Sequence, residues 1–191
     1  MVGTKKYMSL KENTANVLKR VRKNILEMKP YSSARDEFKG DAEIFMDANE
    51  NPYPSPYNRY PDPLQWKVKE ALAPIKKVLP EQIFLGNGSD EAIDLIIRAF
   101  CEPHRDSIAV TDPTYGMYAV CAAVNAVTVI RIALTKEFDL DVNGLFKQIT
   151  PDTKVIFLCS PNNPTGNLLN REAILEVLDQ FDGIVVIDEA Y

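Results

Sequence analysis

The sequence predicts an α/β fold, a mostly parallel sheet covered by helices. Three observations carry this. From Gln82 onward, short apolar runs alternate with segments of helical periodicity. The last run, Ile184-Val185-Val186-Ile187, is apolar without polar alternation, as a strand buried on both faces requires. Glycine-, proline- and asparagine-rich turns follow several of these runs.

In chain order, Asn13–Met28 carries Val17, Leu18, Val21, Ile25 and Met28 at helical spacing, and Pro30 closes it. Tyr31–Lys39 is polar and reads as an arm. Ile44–Met46 reads as a short strand leading into Asn49-Glu50-Asn51-Pro52. Five prolines from Pro52 to Pro63 make an irregular loop. Leu64–Leu72 is expected to be helical, with Pro74 ending it. Strands are then expected at Ile83–Leu85, Ser107–Thr111, Val127–Leu134, Lys154–Cys159 and Ile184–Ile187. Helices are expected at Ser89–Phe100, Tyr115–Asn125, Val142–Ile149 and Arg171–Phe181. The chain contains no internal repeat and no low-complexity tract.

Composition narrows the function classes. A chain of 191 residues, 46% hydrophobic and 26% charged, suits a soluble domain with a sizeable core. A net charge of -5 gives no general attraction for nucleic acid or anionic membrane. No apolar run is long enough to span a bilayer. Met1–Lys29 lacks the apolar core of a secretory signal. Arg20, Arg22 and nearby lysines would suit a transit peptide, but Glu12 and Glu27 argue against one. Three cysteines, Cys101, Cys121 and Cys159, form no CxxC pair. They fit a reducing cytoplasm and small buried residues, not a disulfide framework. The sole histidine, His104, sits in a turn before Arg105 and Asp106, so no metal site is expected.

The motifs that carry chemistry fall at the carboxyl ends of expected strands, where ligands bind open α/β sheets. Gly86-Asn87-Gly88-Ser89 lies between a strand and a helix. Its glycines permit close backbone approach, and the first helical amides with the helix dipole suit a phosphate. The same pattern also serves as an ordinary turn with a helix cap. Asp188, after four apolar residues, is placed to hold a cationic ring nitrogen, or it is a solvent-facing residue at a strand end. An apolar run followed by Asp188-Glu189 also suits a P-loop ATPase, but the chain has no Gly-Lys dipeptide, so that reading fails. Asn163 has an amide that could donate to a phenolic oxygen. Tyr191 has a hydroxyl that could do the same, and Tyr115 could stack on a ring face. Each also has a structural alternative in turn formation or packing.

In order and spacing, these segments resemble the front half of the pyridoxal-phosphate (PLP) aminotransferases, most closely the histidinol-phosphate aminotransferase family. Pro30-Tyr31-Ser32-Ser33-Ala34-Arg35 is similar to that family's substrate arm. Asp47-Ala48-Asn49-Glu50-Asn51-Pro52, Arg59-Tyr60-Pro61-Asp62 and Pro113-Thr114-Tyr115-Gly116-Met117-Tyr118 are also close to it. The competing resemblance is to the threonine-phosphate decarboxylase type, which shares fold and cofactor.

The resemblance implies a three-layer α-β-α large domain of fold-type I, incomplete at its carboxyl end. Residues 1–50 would form an amino-terminal helix and arm, and 51–191 the first part of the PLP-binding domain. It implies cofactor contacts from Gly88, Ser89, Asp90, Tyr115, Asn163, Asp188 and Tyr191. Tyr60 would reach the cofactor phosphate of a partner subunit in a homodimer, and Tyr31 and Asn49 would contact substrate. The parent activity would be cytoplasmic amino transfer between histidinol phosphate or imidazole-acetol phosphate and 2-oxoglutarate or glutamate, in histidine biosynthesis. The family's Schiff-base lysine would lie beyond Tyr191. The resemblance therefore implies that these residues alone are inactive, as a truncated product or an incomplete record. No residue here is expected to be catalytic in its place.

Overall fold

The structure is a computed structural model that describes residues 10–32, 38, 40 and 43–191. The described residues of Met1–Glu27 and Asn87–Tyr191 form one compact unit, and those of Met28–Gly86 a second. The boundary expected near residue 50 falls inside the second unit.

The first unit begins with α1 (Leu10–Leu18) and the short α2 (Lys23–Leu26). The single helix expected over Asn13–Met28 is thus broken. At the break the Arg22 backbone amide donates to the Ala99 carbonyl at 2.9 Å, and the Arg22 guanidinium donates to the Arg98 carbonyl at 3.0 Å. Carbonyls at the end of a distant helix, which lack partners of their own, draw the chain out of its local helix.

A four-stranded parallel sheet follows, in the order β2-β1-β3-β4. Its strands are β1 (Ser107–Asp112), β2 (Thr128–Ala133), β3 (Thr153–Cys159) and β4 (Ile184–Asp188). Alternation along each strand divides the core in two. Ile108, Val110, Val155, Phe157, Ile184 and Val186 face one cluster; Ala109, Ile156, Leu158, Val185 and Ile187 face the other. On the first face pack Ile93 and Ile97 of the amphipathic α4 (Gly88–Phe100), which follows α3 (Trp66–Lys76) in the chain, and Tyr118, Cys121 and Ala122 of α5 (Met117–Val124). On the second pack Leu145 of α6 (Val142–Gln148) and Val177 of α7 (Arg171–Gln180). This is the expected α/β architecture, with helices on both faces of a parallel sheet. Ile97, Ile108, Ile132, Phe157 and Leu158 are fully buried, each stabilising the fold by roughly 1.5–3 kcal/mol.

The helices on the second face start with side-chain caps. Asp141 accepts from the Gly144 amide at 2.8 Å, and Asn170 from the Glu172 amide at 2.8 Å. Among the described residues β4 bonds to β3 alone and is an edge of this sheet.

Among its described residues the second unit contains α3 (Trp66–Lys76) and one 3-10 turn at Pro80–Gln82. The helix expected to close at Pro74 runs through it. Proline removes one hydrogen bond in the last turn, and the helix ends instead where Lys77 turns left-handed at φ 56°. The strands expected at Ile44–Met46 and Ile83–Leu85 do not form. Neither segment enters the sheet, and extended residues without a ladder partner are not a strand. Within the arm expected over Tyr31–Lys39, residues 33–37 and 39 lie outside the described residues, and Ser33, Ala34 and Arg35 are among them.

Candidate functional site

Three connections leave the carboxyl ends of neighbouring strands: Pro113–Gly116 after β1, Ser160–Gly166 after β3 and Glu189–Tyr191 after β4. Ser89, Tyr115, Cys159, Asn163, Asp188, Ala190 and Tyr191 line a cavity of about 110 Å³ there. Five residues singled out from sequence therefore meet in one place: Ser89, Tyr115, Asn163, Asp188 and Tyr191.

Gly88 opens α4 with φ +76°, and a Cβ added there would meet nothing within 4 Å. The glycine is needed for its left-handed backbone rather than for space. Asn87 gives α4 no side-chain cap. Its own amide donates to the Glu91 carboxylate, one turn on, at 2.5 Å. Unlike α6 and α7, α4 therefore begins with no cap from its preceding side chain, beside the exposed Ser89 hydroxyl.

Asp90 does not line the cavity. Its Oδ1 accepts the Tyr115 hydroxyl at 3.0 Å. That hydrogen bond, more than any other influence, raises the Tyr115 pKa, so the hydroxyl stays protonated and donating.

Asp188 is 9% exposed. Its Oδ2 accepts the Tyr118 hydroxyl at 2.6 Å, and its Oδ1 accepts the Ala190 amide at 3.1 Å. Its backbone carbonyl accepts the Ser160 amide at 2.9 Å, extending the β3–β4 pairing to the site. Among the described residues no ion pair engages this carboxylate. A buried carboxylate held by neutral donors is matched to a cationic guest.

Asn162 ties two of the loops together. It is 2% exposed. Its Oδ1 accepts the Thr114 hydroxyl at 2.9 Å, and its Nδ2 donates to the Pro113 carbonyl at 3.0 Å and to the Thr165 hydroxyl at 2.8 Å. Its backbone carbonyl accepts the Gly166 amide at 2.7 Å. The loop that presents Tyr115 is thus bonded to the turn that presents Asn163. Tyr118, Asn162 and Cys159 are not among the site residues expected from sequence. The signal for Tyr118 was its place one helical turn beyond Tyr115; Asn162 was masked by its neighbour Asn163.

Tyr31, Asn49 and Tyr60 belong to the other compact unit. All three are exposed, Tyr31 at 92%. Within that unit, Glu50 accepts from the Arg59 guanidinium and from the Tyr60 amide, both at 2.7 Å, which shapes the chain around Tyr60. Among the described residues no group of histidine, cysteine and acidic side chains is arranged to hold a metal, and no helix is long and apolar enough to cross a membrane.

Residues 36–191 match the family model of the class I and II aminotransferases. Histidinol-phosphate aminotransferase from Parabacteroides distasonis is 61% identical over 90% of this chain and 50% of its own length. The protein of the same name from Cytophaga hutchinsonii is 58% identical over 90% of this chain and 50% of its own. The chain thus spans about half the length of the curated relatives it matches. Among solved structures, the histidinol-phosphate aminotransferase of Clostridium acetobutylicum aligns with a TM-score of 0.56 at 26% identity, covering 66% of this chain and 37% of that one.

Proposed function

The chain belongs to the class I and II aminotransferases, and from that premise we propose that it supplies the cofactor-holding part of a PLP enzyme. The enzyme moves an amino group between histidinol phosphate and 2-oxoglutarate. The names of relatives 58–61% identical to this chain support the substrate. The observation that carries the reading is the buried Asp188 carboxylate, held by neutral donors and facing a cavity shared with Ser89, Tyr115, Asn163 and Tyr191.

The residues present fit PLP by the chemistry of their donors. The Ser89 hydroxyl and the first amides of α4, opened by Gly88, suit a phosphate. Asp90 orients Tyr115 through their hydrogen bond, and Tyr115 offers an aromatic edge or face to a ring. The Asn163 amide and the Tyr191 hydroxyl are donors for a phenolic oxygen. Asp188 is the acceptor for a protonated ring nitrogen. When bound, PLP supplies an electron-withdrawing ring that stabilises negative charge at the substrate's α-carbon. The part of this chain is to hold that ring and keep its nitrogen charged.

By the family resemblance, Tyr60 completes the phosphate site of a second copy in a homodimer, and Tyr31 and Asn49 face the substrate. The enzyme works in the cytoplasm. The test is an assay on a polypeptide that carries this segment at the length of its relatives. Amino transfer from histidinol phosphate to 2-oxoglutarate is expected, exceeding any decarboxylation of threonine phosphate; the reverse preference overturns the assignment. Mixed dimers of a Tyr60→Phe subunit and a subunit lacking the Schiff-base lysine are expected to recover activity. Absence of recovery, with subunit exchange verified, counts against the shared site. These 191 residues alone are expected to bind PLP reversibly without turnover.

A further inference from the structure

Among the described residues Tyr118 is the one fully buried tyrosine, at 0% exposure. It lies in the first turn of α5. Its ring stacks on Phe157 of β3, with centroids 4.9 Å apart and planes at 19°. Tyr115 meets it edge-on at 5.7 Å and 88°. Its hydroxyl reaches Asp188 Oδ2 at 2.6 Å. One side chain therefore touches both Tyr115, which lines the cavity, and the carboxylate of Asp188.

Burial, followed by the hydrogen bond to Asp188, raises the Tyr118 pKa far above the usual tyrosine range. The hydroxyl keeps its proton, and toward a carboxylate it acts as a donor. With the Ala190 amide on Oδ1 and Tyr118 on Oδ2, each oxygen of Asp188 is held. Rotation of the carboxylate would break one bond or the other. The lone pairs left over serve the cavity that Asp188 lines. The stacked Phe157 ring and the edge-on Tyr115 ring fix the Tyr118 phenol in turn, so its hydroxyl has little freedom to follow a displaced acceptor.

Resting on the cofactor-site reading above, we propose that Tyr118 is a positioning residue: by fixing the Asp188 carboxylate against the cavity, it sets the preference of the site for a ring with a protonated nitrogen. Tyr118 touches neither substrate nor cofactor in this role. It acts through Asp188, and the role is separable from packing because Tyr118→Phe keeps the ring and removes only the hydroxyl.

The test compares two probes by equilibrium dialysis against the whole chain: PLP, and its 1-deaza analogue, in which C–H replaces the ring nitrogen. The two share phosphate, phenol and aldehyde. The unsubstituted chain is expected to prefer PLP by about tenfold or more, the scale of a hydrogen bond between charged groups. Tyr118→Phe is expected to lose most of that preference. It should weaken PLP about fivefold to tenfold and leave the deaza analogue within about twofold. Equal weakening of both probes would mean a structural role only and overturn the proposal. An unsubstituted chain with no preference would refute the ring-nitrogen role of Asp188 itself, a different failure. If thermal melts show that Tyr118→Phe does not fold, the unsubstituted chain decides. The Tyr118 hydroxyl proton, observed by NMR with labelled tyrosine, is expected to shift on adding PLP and not on adding the deaza analogue; the same response to both overturns the proposal.

Discussion

At the amino ends of β1, β3 and β4 the protein surrounds a cavity of about 380 Å³ with charge: Lys19, Arg20, Arg22, Arg105 and Lys154 face Glu102, Asp106 and Asp182. At the carboxyl ends a cavity of about 110 Å³ is lined by hydroxyls, an amide, a thiol and one carboxylate. In the larger cavity each of these three carboxylates has an arginine partner. Arg20 pairs with Asp182, Arg22 with Glu102 at 3.1 Å, and Arg105 with Asp106 at 3.0 Å. In the smaller, Asp188 is gripped by a hydroxyl and an amide that carry no charge. Its negative charge remains for a guest. The size of a cavity and its number of charges do not mark the site; a buried carboxylate held in a fixed position by neutral donors does.

The contrast is broken most directly at Asp188. In a polypeptide of the relatives' length, Asp188→Asn is expected to slow amino transfer a hundredfold or more, about 3 kcal/mol or greater in the barrier. Near-normal turnover would mean that the charge is not what the site uses. Next in size is Asn162. Asn162→Ala removes three side-chain hydrogen bonds, two of which join the β1 loop to the β3 loop and one of which braces the β3 loop at Thr165. A loss of roughly 2–3 kcal/mol in urea unfolding is expected, because the Thr114 and Pro113 groups are left without a partner. An unchanged midpoint would show that the loops hold each other without it.

Cys101 tests the amino-end side by pH. Burial, and then the charge of Asp106, push its thiol from 9.0 up to about 12. The folded state therefore keeps a proton that the unfolded chain releases near pH 9. The stabilisation is fully present below about pH 9 and is lost as pH rises toward about 12. Denaturant midpoints measured across that window should fall less steeply in Cys101→Ala than in the unsubstituted chain; parallel slopes would remove Cys101 as the cause. The smallest effect is expected for the Arg20–Asp182 pair, whose carboxylate is 94% exposed. A double-mutant cycle should give a coupling below about 1 kcal/mol. A larger value would mean that the amino-end charges are more than a solvated rim.

The difference between the two ends also explains what was legible in the sequence. Ser89, Tyr115, Asn163, Asp188 and Tyr191 stood out because each follows an apolar strand or opens a helix, and position along the chain places them at the sheet's carboxyl end. Tyr118 and Asn162 did not stand out. Their importance lies in partners 70 and 48 residues away, and no local pattern encodes a contact at that separation. The break between α1 and α2 was hidden for the same reason, since the carbonyls that draw Arg22 away belong to α4. Extended residues at Ile83–Leu85 looked like a strand because apolar residues suit one, yet only a neighbour's ladder makes one.

By itself the sequence determined the strands of the sheet, the helices between them and the turns that carry polar side chains. These follow from period, burial demand and the conformational freedom of glycine and proline, all local properties. Tertiary structure decided the order β2-β1-β3-β4 and the exposure of Tyr31 and Tyr60. It also decided which donors answer Asp188. The physical reason is that a hydrogen bond or an ion pair depends on separation in space. The sheet alone brings a phenol of α5 within 2.6 Å of a carboxylate at the end of β4.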